Sequence, residues 1–135
     1  RPMTEVSAWV ALDDVDMENG CMSMVPGSHE WGNQMDFIRT LESYDAMPSK
    51  FEEHPIEVVP RLVKKGEVHY HHALTWHGSH DNTSNRPRRA IAIHYMTHET
   101  CYEASGKHIM QPLVDVADGE ILRGEHFPTV WQKGN

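Results

Sequence analysis

The segment "TWHGSHDNTSNRPRRAIAIHYM", residues 75–96, sets a histidine, a small polar run, a cluster of arginines and an apolar strand within one short span. His77 and Arg88 are the pair with a clear chemical use. An imidazole offers a lone pair to a metal, and a guanidinium eleven residues later can grip a planar carboxylate through two parallel hydrogen bonds. If residues 75–79 are extended, His77 and Ser79 point the same way, so the histidine has a hydroxyl neighbour. Along residues 88–96 the strand period puts Arg88, Ala90, Ala92, His94 and Met96 on one face, and Arg89, Ile91, Ile93 and Tyr95 on the other. The first face sets a fixed cation beside two alanines, which leaves room for a small anion; the second is bulky and apolar. A surface ion pair is the competing use for an arginine in this position. Arg86, ahead of Pro87, is expected in an extended approach through solvent, and both it and Arg89 are expected to act only as exposed charges.

Histidine is abundant, with 11 in 135 residues, and His69, His71, His72, His77 and His80 lie close together. His69 and His71 share a strand face and could chelate a metal, although a solvated edge strand has the same spacing.

The elements that must position these groups are strands. "EVSAWVALDD" (5–14), "CMSMVPGSH" (21–29), "IEVVP" (56–60), "GEVHYHHA" (66–73) and "RAIAIHYM" (89–96) are strand-like, and "TWHGS" is a brief one. "MENG" and Pro26-Gly27 are breaks, residues 33–45 fit a short helix, and "SKFEEHP" reads as loop. Short strands with turn signals and no alternating helices predict an all-β sandwich, jelly roll or barrel, and one domain is the simplest organisation. Lys plus Arg number 12 against 20 Asp plus Glu, a net charge of −8, which argues against nucleic acid or an anionic membrane as partner. Cys21 and Cys101 are far apart without a CxxC, which fits a reducing, cytoplasmic setting. The triplet Asn82-Thr83-Ser84 matches a glycosylation sequon, a pattern that arises readily by chance.

"VSAWVALDDVDMENGCMSMVPGSH", followed by "KKGEVHYHHALTWHGSHDNTSNRPRRAIAIHYM", closely resembles the phytanoyl-CoA dioxygenase family of iron(II) and 2-oxoglutarate-dependent oxygenases over roughly residues 4–97. The resemblance implies a double-stranded β-helix, a cupin-like jelly-roll barrel, with iron held by two histidines and a carboxylate and with open positions for 2-oxoglutarate and oxygen. It implies that His77 is the distal iron ligand, that Arg88 holds the far carboxylate of 2-oxoglutarate, and that Ser79 and Trp9 line the cosubstrate pocket. The substrate is expected to be a small molecule, chosen by residues 30–55 as a lid or, equally, bordered by them as a plain surface loop.

The family's other two ligands come from a His-x-Asp motif ahead of the "SAW" strand, and no His-x-Asp or His-x-Glu triplet occurs in these residues. The chain is therefore expected to be the C-terminal part of one jelly-roll domain, inactive alone, with open strand edges that a second copy could cover. Three other readings stay open on the sequence: a halogenase of the same family, a non-catalytic cupin-like binding module, and a zinc or assembly role for His69 and His71.

Overall fold

The computed structural model describes residues 2–134, which form two compact units, residues 6–95 and the terminal residues 2–5 with 96–134. Eight strands run through the larger unit: β1 (Val6–Ala11), β2 (Met22–Met24), β3 (Lys50–Phe51), β4 (His54–Pro55), β5 (Val59–Arg61), β6 (Val68–His72), β7 (His77–Ser79) and β8 (Ala90–Tyr95). They form one sheet in the order β6-β1-β8, a second in the order β5-β2-β7, and the small hairpin β3-β4, all antiparallel. The smaller unit is mostly turns, with a bridge between Cys101 and Ile121 and a 3-10 turn at Gln111–Leu113. Among the described residues no helix is long and apolar enough to cross a membrane.

Residues directly opposite in an antiparallel pair share a face, so the register fixes what looks inward. In the first sheet Ser7 stands between His71 and His94, Trp9 between His69 and Ala92, and Ala11 beside Ala90. In the second, Met22 stands between Arg61 and Ser79, and Met24 between Val59 and His77. The rings of His71 and His77 are 4.8 Å apart between centroids, so these two faces look at each other. Two facing antiparallel sheets agree with the sandwich, jelly roll or barrel that the strand pattern predicts and with the double-stranded β-helix that the family resemblance implies. The core between them is Trp9, Ala11, Val15 and Cys21, with Met22, Val63 and Ala90 packed on it. Both cysteines are free.

The segment between β2 and β5 differs from expectation. Its helix α1 is a single turn, Met35–Ile38, rather than a helix over 33–45. Gln34 supplies no side-chain cap, and the Thr40 hydroxyl donates back to the Phe37 carbonyl at 2.7 Å, which competes with further turns. "SKFEEHP", expected as loop, is the β3-β4 hairpin, turned through Glu52 at φ 50°. Trp31 stacks on Phe51 and His54 on the two arms of that hairpin, a tertiary cause that local sequence does not carry.

Two buried polar side chains tie the loops to the sheets. Asn19 is fully buried: its amide oxygen accepts the Asp16 N–H at 2.8 Å, and its amide nitrogen donates to the carbonyls of Asp14 (2.8 Å) and Pro87 (3.3 Å). Ser28, also fully buried, accepts the Trp76 N–H at 2.8 Å and donates to the Val25 carbonyl at 2.6 Å. Gly20 has φ +80°, and a Cβ there would lie 2.7 Å from the His80 carbonyl oxygen, so this turn requires glycine. Removing either polar side chain leaves buried backbone groups unpaired. Asn19→Ala and Ser28→Ala are each expected to lower unfolding free energy by about 1–3 kcal/mol in chemical denaturation. Values within error of wild type for both would contradict this account of the loops.

Candidate functional site

On the inner face a row of side chains runs from Arg88 to His77. The Arg88 guanidinium lies over the Trp9 ring, 5.8 Å from its centroid. Trp9 stacks on His69 (5.2 Å), His69 is 5.5 Å from His71, and His71 is 4.8 Å from His77, all between centroids. Trp9 is buried, Arg88, His69 and His71 are half-buried, and His77 and Ser79 are exposed. Arg88 and Trp9, two residues expected to serve one pocket, are thus in contact. His77 and Ser79 share the inward face of β7, with Ser79 opposite Met22.

The His77 ring is held by one hydrogen bond. Its Nδ1 is 2.7 Å from the Thr75 carbonyl oxygen, and because a carbonyl only accepts, Nδ1 carries the proton and Nε2 keeps its lone pair. Both ring nitrogens of His69 and Nδ1 of His71 are buried without hydrogen-bond partners. Although β6 is an edge strand, its inward histidines are not a solvated edge. Burial is the main cause that lowers both their pKa values: His71 falls from 6.5 to about 4, helped by the charges of His77, His69 and His94. His69 falls through burial, then the charges of Arg61 and His77. Arg61, on the same face across from Met22, went unread in the sequence because an arginine after Pro60 looks like a strand end. Ser7 meets His94 Nδ1 at 2.8 Å on this face as well.

The neighbouring arginines behave differently from expectation. Arg86 is not a solvent charge: it grips Asp16 through two nitrogens at 2.8 and 3.0 Å and reaches Glu18 at 3.1 Å. Arg89 binds Asp13 at 2.7 and 3.0 Å, and its own backbone N–H donates to the same carboxylate at 2.8 Å. The Arg89 hydrogen bonds hold the Asp13 carboxyl down at about 2. With both flanking guanidiniums committed, no described side chain forms a hydrogen bond or ion pair with that of Arg88. Ile38, Leu41 and Met47 of the segment between β2 and β5 border one space with His77 and Ser79. Trp31, Phe37 and Phe51 pack on Trp76, which precedes His77 and faces the other side of β7. Among the described residues no three His, Cys, Asp or Glu side chains are grouped to hold a metal by themselves.

A family model described as phytanoyl-CoA dioxygenase matches residues 1–90. The phytanoyl-CoA dioxygenase domain-containing protein 1 homolog of Caenorhabditis briggsae is 36% identical over 104 residues, covering 65% of this chain and 33% of the relative. The peroxisomal phytanoyl-CoA dioxygenase of Mus musculus is 27% identical over 128 residues, covering 84% and 36%. Among solved structures, the non-heme alpha-ketoglutarate-dependent carbocyclase SnoK from nogalamycin biosynthesis superposes with TM-score 0.67 at 34% identity, covering 92% of this chain and 48% of that one. The epimerase SnoN, solved in complex with Fe3+, alpha-ketoglutarate and nogalamycin RO, superposes with TM-score 0.65 at 26% identity, covering 93% and 50%. The chain spans about a third of the length of the curated relatives it matches.

The two half-buried histidines are expected to make the fold of the metal-free chain acid-sensitive. Their folded pKa values lie below 6.5, so the unfolded state binds more protons between pH 6.5 and about 4, and stability present above 6.5 drains as pH falls through that window. The melting temperature is expected to drop between pH 7 and pH 5, and to drop less in His71→Phe. A flat wild-type profile over that interval would remove the basis for neutral, buried imidazoles.

Proposed function

The chain belongs to the phytanoyl-CoA dioxygenase family, and from that premise we propose that it supplies the cosubstrate-binding part of an Fe(II)- and 2-oxoglutarate-dependent oxygenase acting on a small-molecule substrate. The observation that carries the reading is Arg88, a guanidinium on the inner face with its two neighbours neutralised by Asp13 and Asp16. An unpaired, half-buried guanidinium over an aromatic ring suits the distal carboxylate of 2-oxoglutarate.

The residues present fit the group. His77 offers Nε2 as one iron ligand, fixed in its tautomer by Thr75. The remaining histidine and carboxylate of a facial triad do not come from these 135 residues, which contain no His-x-Asp or His-x-Glu. Trp9 forms the floor beside Arg88, and Ser79 borders the space on the same face as His77. The orphaned nitrogens of His69 and His71 are buried donors or acceptors along the row between Arg88 and His77. Once bound, iron and 2-oxoglutarate supply oxidative power from molecular oxygen. The chain's own residues hold the cosubstrate at both ends and exclude water with the Trp9 and histidine rings. Hydroxylation is the outcome we assign. Two free cysteines with no disulfide fit a reducing compartment, cytoplasmic in our reading.

In a polypeptide carrying the other two ligands, Arg88→Ala is expected to weaken 2-oxoglutarate by roughly two to four decades, about 3–5 kcal/mol, by leaving its carboxylate unpaired. Arg88→Lys recovers part of this, since an ammonium lacks the two-pronged geometry. Arg86→Ala is expected to lower the melting temperature and leave the half-saturating 2-oxoglutarate concentration near wild type. A crippling loss of affinity in Arg89→Ala with normal binding in Arg88→Ala overturns the assignment. The 135-residue chain alone is expected to bind Fe(II) weakly and to show no substrate-stimulated decarboxylation of 2-oxoglutarate; steady turnover by it would refute the one-ligand reading.

A further inference from the structure

Of the row that runs from Arg88 to His77, only His77 also borders the space beside the segment between β2 and β5. Met24 stands directly opposite it across β2 and β7. In the segment, the Leu41 N–H donates to the Ile38 carbonyl at 3.1 Å, so these two residues, three apart on one turn, present their side chains to the same side. Met47 follows a turn closed by the Ala46 N–H on the Ser43 carbonyl at 3.1 Å. Ile38, Leu41 and Met47, with Val58 ahead of β5, border a half-open space of about 270 Å³ together with Met24, His77 and Ser79.

Among the described residues no carboxylate, ammonium or guanidinium borders this space. Ile38, Leu41, Met47 and Val58 are each only half-buried, so they keep apolar surface that the core does not cover, and a hydrocarbon partner would remove it from water. A cavity of roughly 150 Å³ takes benzene, and by that measure the space has room for about eleven non-hydrogen atoms. Its open side lets a larger molecule continue into solvent. The side of His77 toward Arg88 is assigned to the cosubstrate, which leaves this side for the molecule that is oxidised.

We propose that Ile38, Leu41 and Met47 are specificity-determining residues, which hold a hydrocarbon portion of the substrate against Met24 and beside His77 and leave its polar groups to the open side. The inference rests on the assignment of His77 as an iron ligand and goes beyond it in naming the substrate class: a molecule whose oxidised carbon lies in an apolar segment. A polar segment of that size would lose hydrating water against these side chains with little to replace it.

Octanamide and triethylene glycol are the probes, being alike in size, uncharged, and different in how much of each is hydrocarbon. In carbon–proton spectra of the metal-free 135-residue chain, the Met24 and Met47 methyl resonances are assigned by their loss in Met24→Leu and Met47→Leu, and the His77 ring resonances by their loss in His77→Gln. Octanamide is expected to shift all three saturably and to bind at least several-fold more tightly than triethylene glycol. Leu41→Asn and Met47→Gln, which keep side-chain size and replace apolar surface with an amide, are each expected to weaken octanamide several-fold; if one does not fold, the other decides. Normal 2-oxoglutarate binding by Arg88→Ala in the polypeptide with all three ligands would remove the oxygenase reading without touching the octanamide result. Equal affinity for the two probes, an unmoved His77 ring, or undiminished octanamide binding in the amide variants would each overturn the proposal and leave that reading in place.

Discussion

The inner face is organised by two buried polar side chains that touch neither end of it. Asn19 holds the carbonyl of Pro87, the residue before Arg88, and Ser28 holds the N–H of Trp76, the residue before His77. Each makes its bonds with no exposed surface, where a misplaced partner cannot be replaced by water. In the proposed role, a guanidinium and an imidazole that meet the two ends of one small molecule tolerate little error in separation. Anchoring the backbone just upstream of each fixes where the side chain starts, and strand alternation then fixes where it points. Neither short strand could do this through its own ladder: β7 has three residues, and the segment ahead of β8 has no sheet partner until Ala90.

The same loop that carries Asn19 also sorts the charges. Residues 13–18 hold Asp13, Asp14, Asp16 and Glu18, and each of these carboxylates meets a cation from elsewhere: Arg89, Lys64, Arg86 and Arg86 again. Three arginines in four positions would otherwise repel one another and compete for any anion nearby. Asp13 and Asp16 lower that repulsion by committing Arg89 and Arg86, each through a two-pronged contact that also pins the β7–β8 loop. Thr83 adds a backbone bond to the Glu18 carbonyl at 3.0 Å. The acidic surplus of the chain is thus spent partly on presenting one basic group.

What the residues revealed in advance follows the range of the forces involved. Strand period alone put Arg88 with Ala90, Ala92 and His94, and the register places those alanines beside Ala11 and Trp9, because period-two alternation is a backbone property that neighbours cannot change. Arg86 was misread for the opposite reason: its partners are 70 and 68 residues away, and nothing within its own segment signals them. The β3-β4 hairpin hid likewise, since "FEEH" has no hairpin turn residue and is held by the face of Trp31. Asn19 was visible as a turn residue ahead of Gly20, but its burial depends on the loop at residues 80–87 closing over it.

β7 shows how much a three-residue strand can separate. Its inward side carries a histidine with a free nitrogen and a serine; its outward side, counted from Trp76, carries a large indole and a glycine. Glycine there, with serine opposite, puts little side-chain volume on that part of the strand pair. The segment after β2 supplies bulk from outside the pair by packing Trp31, Phe37 and Phe51 around Trp76, so a three-residue strand is held by large rings as well as by its own ladder.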